Sequence, residues 1–387
     1  MNAGTDSRQR WRIGLEGRAL ILVSAILLAF GLATLHSASA IVAMQEGHSS
    51  AHYLLRQLVG VAIGIPLFMV VAKVDADRWS RWAWPLMLVT IAGMIAVLVL
   101  PESIAPRVNG SRRFLFGSSI QPSELGKVAV VVWTAMLVVK KQDQLRRLTK
   151  GLLPFLVVIG LLALLAWVEP DLSTAMMYTL VAGVVLFAGG ARVGHFFFLA
   201  ALAVPVLWNE IQRVQYVVLR MTSFLDPGAA PQQVSYQLRQ SLIAVGSGRL
   251  LGVGFGEGRQ QYGFLPLPYN DFIASNIGEE WGFVGLLAVI AAFACWGWLG
   301  FRIARQARSP FLQLTAVGLT LTVLVTAYLH IGVVIGLLPT TGLTLPFVSY
   351  GRSNLIVTML MTGILVNIGS VRERVVGARA TDPLAAG

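Results

Sequence analysis

The chain has 387 residues, of which 56% are hydrophobic and 12% charged, and it carries a formal net charge of +12. A soluble domain is roughly 25% charged, and one as apolar as this would expose patches large enough to aggregate. Composition therefore excludes an ordinary soluble enzyme, a disordered chain and a fibrous repeat, and the lone Cys295 excludes a disulfide framework.

What remains is an all-α polytopic membrane protein. Apolar runs near the roughly 20 residues that a helix needs to cross a bilayer predict ten transmembrane helices, at 19–43, 54–72, 82–100, 123–139, 151–168, 172–190, 193–208, 277–300, 311–337 and 350–370. The first run is too long for a cleaved signal peptide, and the stretch after Leu35 continues into more apolar sequence. Glu169-Pro170-Asp171 separates the fifth span from the sixth, because proline breaks the hydrogen-bond ladder and carboxylates avoid hydrocarbon. Ten crossings put both termini on one side. Tails 1–18 and 371–387 then flank a membrane domain over 19–370, whose one long loop, about 209–276, faces the opposite side.

The charges set the orientation. With the N-terminus inside, the cytoplasmic segments hold 19 of the 30 Lys/Arg residues and 7 of the 18 acids, and the short loops carry the bias. These cations orient helices and suit anionic lipid, so a nucleic-acid partner is not expected. The outer side holds 11 basic and 11 acidic residues, a balanced set expected to be paired. It also holds the long loop, which is not of low complexity and therefore reads as functional. The working end faces out.

Five outward constellations follow in chain order. Arg107-Val108-Asn109-Gly110-Ser111-Arg112-Arg113 is a tight Asn-Gly turn carrying arginines where the positive-inside rule disfavours them. Gln121-Pro122-Ser123-Glu124 then starts a helix on which Glu124 and Lys127, three residues apart, share a face. A helix-start ion pair beside headgroup-contacting arginines is the plain reading, although arginine forks also match a diphosphate. In Glu169-Pro170-Asp171, Asp171 needs a cationic partner at the membrane edge, and Lys127 is the most economical one.

The glycines at 246, 248, 252, 254, 256 and 258 lack the strand and helix of a dinucleotide site. They predict a flexible backbone running close to the membrane surface or to a ligand. Asp271, after Leu265-Pro266-Leu267-Pro268-Tyr269-Asn270, stands at the mouth of an apolar helix. There it either complements the helix dipole or, with Glu279 and Glu280 near outward cations, supplies a base. The prolines, glycines and hydroxyls of 338–354 predict a broken segment lining a cavity, or else a plain extracellular turn.

In this order, Gln121-Pro122-Ser123-Glu124, Glu169-Pro170-Asp171-Leu172, Tyr236-Gln237-Leu238-Arg239-Gln240-Ser241, Asn270-Asp271-Phe272 and Pro346-Phe347-Val348-Ser349-Tyr350-Gly351 resemble the SEDS family (shape, elongation, division and sporulation). The resemblance runs from the second span to the last. Tyr236 to Ser241 and Arg220 to Pro227 look like the division branch more than the elongation branch. Departures are Tyr269-Asn270 for the usual His-Thr, Arg352 for a usual Gly, and Ser173 for another Gly.

The resemblance implies a ten-helix inverting glycosyltransferase that polymerises lipid II, both donor and acceptor, into peptidoglycan at the outer face of the cytoplasmic membrane. Asp271 would be the general base. Arg56, Arg113, Lys127, Arg352 and Ser349 would bind the substrate's diphosphate, and Glu124, Lys127, Asp171 and Glu280 would form ion pairs or line the cavity. A class B penicillin-binding protein and other division proteins are the implied partners. No cofactor is implied, and although a divalent cation is compatible with the chemistry, no ligand cluster marks a metal site. A lipid-linked-precursor flippase of the same fold is the alternative, disfavoured because the span centres are nearly free of charge. A non-enzymatic division scaffold is the other.

Overall fold

A computed structural model describes residues 8–107, 111–117, 119–198, 201, 215–225 and 232–375. Helices dominate: α1 (Leu15–Gln45), α2 (His52–Lys73), α3 (Arg78–Val99), α4 (Pro122–Lys140), α5 (Leu153–Val168), α6 (Leu172–Ala188), α7 (Gln215–Leu225), α8 (Gln232–Ser247), α9 (Ile273–Glu280), α10 (Gly282–Arg305), α11 (Pro310–Val334) and α12 (Arg352–Ile368). Seven apolar stretches are long enough to cross a membrane: α1 to α4, Leu148–Val168 (α5 with the π-turn before it), α10 and α11. The shorter α6 and α12 are apolar as well. These nine fall on nine of the predicted spans. The seventh predicted span, 193–208, is helical over 193–198 and otherwise lies outside the described residues.

Burial separates centre from periphery. In α4 and α11, 83% and 67% of the most apolar window is buried inside the protein, against 22–39% for the other five. The run Val128 to Trp133 on α4 is buried on every side. In the outer helices one side packs inward and the other is left to lipid, because lipid tails solvate Leu and Val as well as a core does. Thr322 and Thr326 on α11 satisfy their hydroxyls by donating to the carbonyls of Gly318 (2.8 Å) and Thr322 (2.7 Å), four residues back.

The chain departs from the sequence expectation in three places. It is not wholly helical: Arg8–Ile13 (β1) pairs antiparallel with Ser370–Val375 (β2), from Arg8 opposite Val375 to Ile13 opposite Ser370. The described parts of the two tails thus pair with each other. The eighth span does not begin at 277. Its first four residues belong to α9, a separate buried helix, and α10 starts at Gly282, whose φ of +67° separates it from α9. An apolar window smooths over such a break, which needs only one residue. The long loop itself holds helices: α7, α8 and the first half of α9 lie within it.

Two ends of the bundle can be told apart by their contacts. At one, Arg302 meets Glu16 at 3.0 Å, and Arg308 meets Asp75 at 2.8 Å and Asp77 at 2.7 Å. There Asn367 also donates to the Ala72 carbonyl at 2.6 Å. At the other end of α1, which is 31 residues or about 46 Å long, Gln45 reaches the Tyr262 carbonyl at 3.4 Å. Asp271 belongs to this second end.

Candidate functional site

Asp271 is brought to its place by backbone contacts. It lies between Pro268 and the start of α9, in a stretch without regular structure. The Tyr269 carbonyl accepts from the Tyr350 amide at 2.9 Å, and the Asn270 carbonyl accepts from Ser349 Oγ at 2.8 Å. Ser349 Oγ in turn accepts from the Leu345 amide at 2.8 Å. The Tyr269 ring packs on Tyr53 with centroids 4.3 Å apart, and Tyr269 donates its hydroxyl to Tyr53 at 3.1 Å. Tyr53 donates to Glu46 Oε2 at 2.5 Å.

The broken segment after α11 closes the other side. Its residues Leu345, Phe347 and Val348 are buried, so the segment packs into the protein and is not a plain exterior turn. Gly342 lies so close to the acid that a Cβ there would be 3.9 Å from Asp271 Oδ2. The segment is tied in place by Arg220, which donates to the Thr340 carbonyl at 3.3 Å. His330 on α11 meets the Leu343 carbonyl through Nδ1 at 2.7 Å, and Ser173 donates to the Thr341 carbonyl at 2.5 Å.

Burial raises the Asp271 carboxyl above the ordinary aspartate range, the Arg220 and Arg113 guanidiniums pull it back, and Asp171 pushes it further up. Among the described residues none donates a hydrogen bond to the Asp271 carboxylate. The acid is therefore a half-buried carboxyl group within electrostatic reach of two cations.

Arg113 is the junction of the neighbouring cluster. Its Nη1 lies 3.7 Å from Asp171 Oδ2, its Nε donates to the Glu169 carbonyl at 3.2 Å, and Nη2 donates to the Pro170 carbonyl. Asp171 also caps α6, accepting from the Thr174 amide at 3.1 Å. Glu169 is fully buried, and neither of its carboxylate oxygens has a hydrogen-bond partner. Burial first, then the nearby Asp171, pushes its pKa up to about 8 against the opposing pull of Arg113.

The ion-pair assignment from sequence needs correction. The partner of Asp171 is Arg113, and Lys127 instead holds Glu124 with both oxygens, at 2.8 and 2.9 Å. Three residues along one helix bring Glu124 and Lys127 together at no cost in chain closure, whereas Arg113 reaches Asp171 only because two distant turns pack. Glu279 and Glu280 do not join Asp271 either, because they stand at the far end of α9. Glu279 accepts from the Arg259 amide at 2.9 Å and the Gln260 amide at 3.2 Å. Glu280 forms no ion pair among the described residues. It accepts from Ser37 Oγ at 2.5 Å and Asn276 Nδ2 at 3.0 Å.

The backbone around these two carboxylates explains two of the glycines. A Cβ at Gly248 would fall 1.9 Å from the Gly278 carbonyl oxygen, and one at Gly252, where φ is +85°, 2.1 Å from that of Glu280. At these two positions the glycine-rich stretch approaches its own chain.

Of the remaining residues singled out from sequence, Arg352 donates to Ser119 Oγ at 3.1 Å, and Arg56 is exposed on α2. Asn109-Gly110 lies outside the described residues. Sequence reasoning passed over Arg220, noticed only within a longer motif, and Gln57, which could have been found as an amide inside an apolar span. Among the described residues no three His, Cys, Asp or Glu side chains converge as a metal ion requires. No step below uses a metal ion.

The cell cycle protein family that groups FtsW, RodA and SpoVE matches residues 18–374. The chain belongs to this family. A probable peptidoglycan glycosyltransferase FtsW from Trichlorobacter lovleyi is 36% identical, covering 94% of this chain and 95% of that protein. Stage V sporulation protein E of Bacillus subtilis is 35% identical over 90% of this chain and 95% of its own length. The Thermus thermophilus rod shape determining protein RodA aligns with a TM-score of 0.65 at 25% identity, over 90% of this chain and 95% of that one. A chain from a peptidoglycan synthase complex that coordinates polymerization and crosslinking gives a TM-score of 0.73 at 24% identity, covering 90% and 96% of the two chains. Within the FtsW/RodA/SpoVE family this chain is a multi-pass membrane protein, and its five ordered motifs fall at the Asp271 end or in the helices that build it.

Proposed function

We propose that this chain is a division-type peptidoglycan glycosyltransferase. It crosses the cytoplasmic membrane ten times with both termini inside and polymerises lipid II at the outer face. The observation that carries this reading is Asp271: a half-buried carboxylate with no donor among the described residues, two guanidiniums in electrostatic reach and irregular backbone around it. The topology draws on the two tails pairing at one end of the bundle and Asp271 lying at the other.

In the reaction, a sugar 4-hydroxyl of the acceptor attacks the anomeric carbon of the donor. The new C–O bond forms as the bond from that carbon to the phosphate oxygen breaks, with inversion, and the bonding pair leaves with undecaprenyl diphosphate. Asp271 takes the hydroxyl proton and releases it to solvent, and a positioned base of this kind contributes about 10²–10⁴-fold. Its raised pKa makes it a stronger base than an exposed aspartate. The leaving diphosphate gathers negative charge, which Arg113 and Arg220 stabilise from the cavity and Arg56 and Arg352 from its rim. Lys127 stays with Glu124 as a structural pair, and Ser349 orders the backbone that carries the base. A class B penicillin-binding protein would crosslink the emerging strand.

Purified protein with such a partner, given lipid II, tests this directly. Asp271→Ala is expected to lower polymerisation by at least about 10²-fold, and wild-type polymerisation by that variant would overturn the base assignment.

A further inference from the structure

Asp271 has no helix or strand of its own to hold it, and the two bonds that fix the preceding carbonyls come from Ser349 and Tyr350. Those donors belong to another irregular segment, so two loops hold each other and neither is a rigid support. Two residues of α2 supply rigid support: Tyr53, on which Tyr269 packs, and Gln57, which holds the donor loop itself. Gln57 Nε2 donates to the Ser349 carbonyl at 3.2 Å, and its Oε1 accepts from the Gly351 amide at 3.1 Å. One side-chain amide thus grips the backbone on both sides of Tyr350. Gln57 is 1% exposed, in a helix otherwise apolar enough to cross a membrane. A buried amide there is costly unless both ends are satisfied, and both are, by the same loop.

We infer that Gln57 is a positioning residue for Asp271: it transmits the fixed geometry of α2 through Ser349, Tyr350 and Gly351 to Tyr269 and Asn270, and so to the acid itself. The inference rests on the reading of Asp271 as the base. A site built on a continuous helix holds its geometry more closely than one built on loops, and a misplacement of about 1 Å can cost on the order of 10²-fold in rate. Gln57 touches no substrate in this scheme. Its effect falls on kcat, because a displaced base binds the acceptor as before but takes the proton poorly.

Two variants test it, each followed by lipid II polymerisation kinetics between pH 6 and 9 and by thermal melting. Gln57→Met keeps the length and loses both hydrogen bonds. It is expected to lower kcat by about 10- to 100-fold at every pH while KM stays near wild type. Gln57→Glu makes the grip pH-dependent. Protonated, its carboxyl can donate to the Ser349 carbonyl and accept from Gly351, whereas ionised it turns a lone pair on that carbonyl. Its kcat relative to wild type at the same pH should therefore rise as pH falls, opposite to the loss expected from protonating a general base.

A Gln57→Met enzyme with wild-type kcat overturns the inference. So does a Gln57→Glu enzyme that trails wild type by one constant factor across pH. Activity that falls only in step with melting temperature in both variants does so too, since Gln57 would then hold the bundle and not the base. Asp271→Ala run alongside separates the two ideas. If it polymerises like wild type, the base assignment fails, whereas an inactive Asp271→Ala beside a fully active Gln57→Met refutes only the role of Gln57.

Discussion

At the end of the bundle where β1 pairs with β2, ion pairs stand in the open. Arg308 bridges Asp75 and Asp77 with about half of its own side chain exposed, at 48%, and Arg302 reaches Glu16 at 44% exposure. At the Asp271 end, Lys127 and Glu124 form their pair with side chains 4% and 10% exposed. Asp171, largely buried, meets Arg113, and the buried Glu169 carboxylate has no hydrogen-bond partner among the described residues. Water solvates the first set whether or not it pairs, so those pairs contribute little. The second set lies where an unpaired charge is expensive, and there each pairing decides both stability and the charge felt by the base.

The contrast breaks most visibly at Lys127. Lys127→Met strands the Glu124 carboxylate in the interior and is expected to cost about 3–5 kcal/mol. Adding Glu124→Gln should return most of it, because the stranded charge is then gone. Melting curves of the two single variants and the double variant, taken as a cycle, check this. Additive losses would mean that the pair does not couple.

Glu169 sharpens the contrast through pH. Its pKa in the folded protein, about 8, lies above the ordinary 4.5, so between those values the folded chain keeps a proton that the unfolded chain releases. The stability it contributes is complete below about 4.5 and is lost as pH rises through about 8. Glu169→Gln should flatten the fall in melting temperature over that window and leave it unchanged at low pH. A wild-type profile already flat from pH 5 to 8 would refute the assignment.

The smallest effect is expected at the opposite end, where Arg308→Ala should cost less than about 1 kcal/mol and less again in high salt. A larger loss of melting temperature would show that the exposed pairs matter as much as the buried ones.

Much of the architecture was legible in advance because it rests on sums along the chain. The ends of α2, α4 and α11 fall within a few residues of their expected spans, since an apolar run bounded by charges carries that information locally. The break at Pro170 was legible for the same reason. The break at Gly282 was not, because α9 and α10 read as one apolar run and the left-handed glycine between them is invisible to hydropathy. At the site, Asp271, Arg113 and Asp171 stood out as charges at a membrane edge. Gln57 and Arg220 did not, because their importance comes from partners hundreds or more than a hundred positions away: Ser349 and Gly351 for the first, Thr340 for the second.

That this chain lives in a bilayer, how its crossings divide and which end gathers ionisable groups follow from composition and order, because hydrophobicity and charge act residue by residue. Which carboxylate is paired, which is left bare and which is free to take a proton follow from contacts between turns far apart in sequence. Lys127 took its nearest neighbour on the helix, leaving Asp171 to Arg113 and Glu169 to none. Desolvation and Coulomb energy depend on distance in space, and only the packed bundle sets those distances.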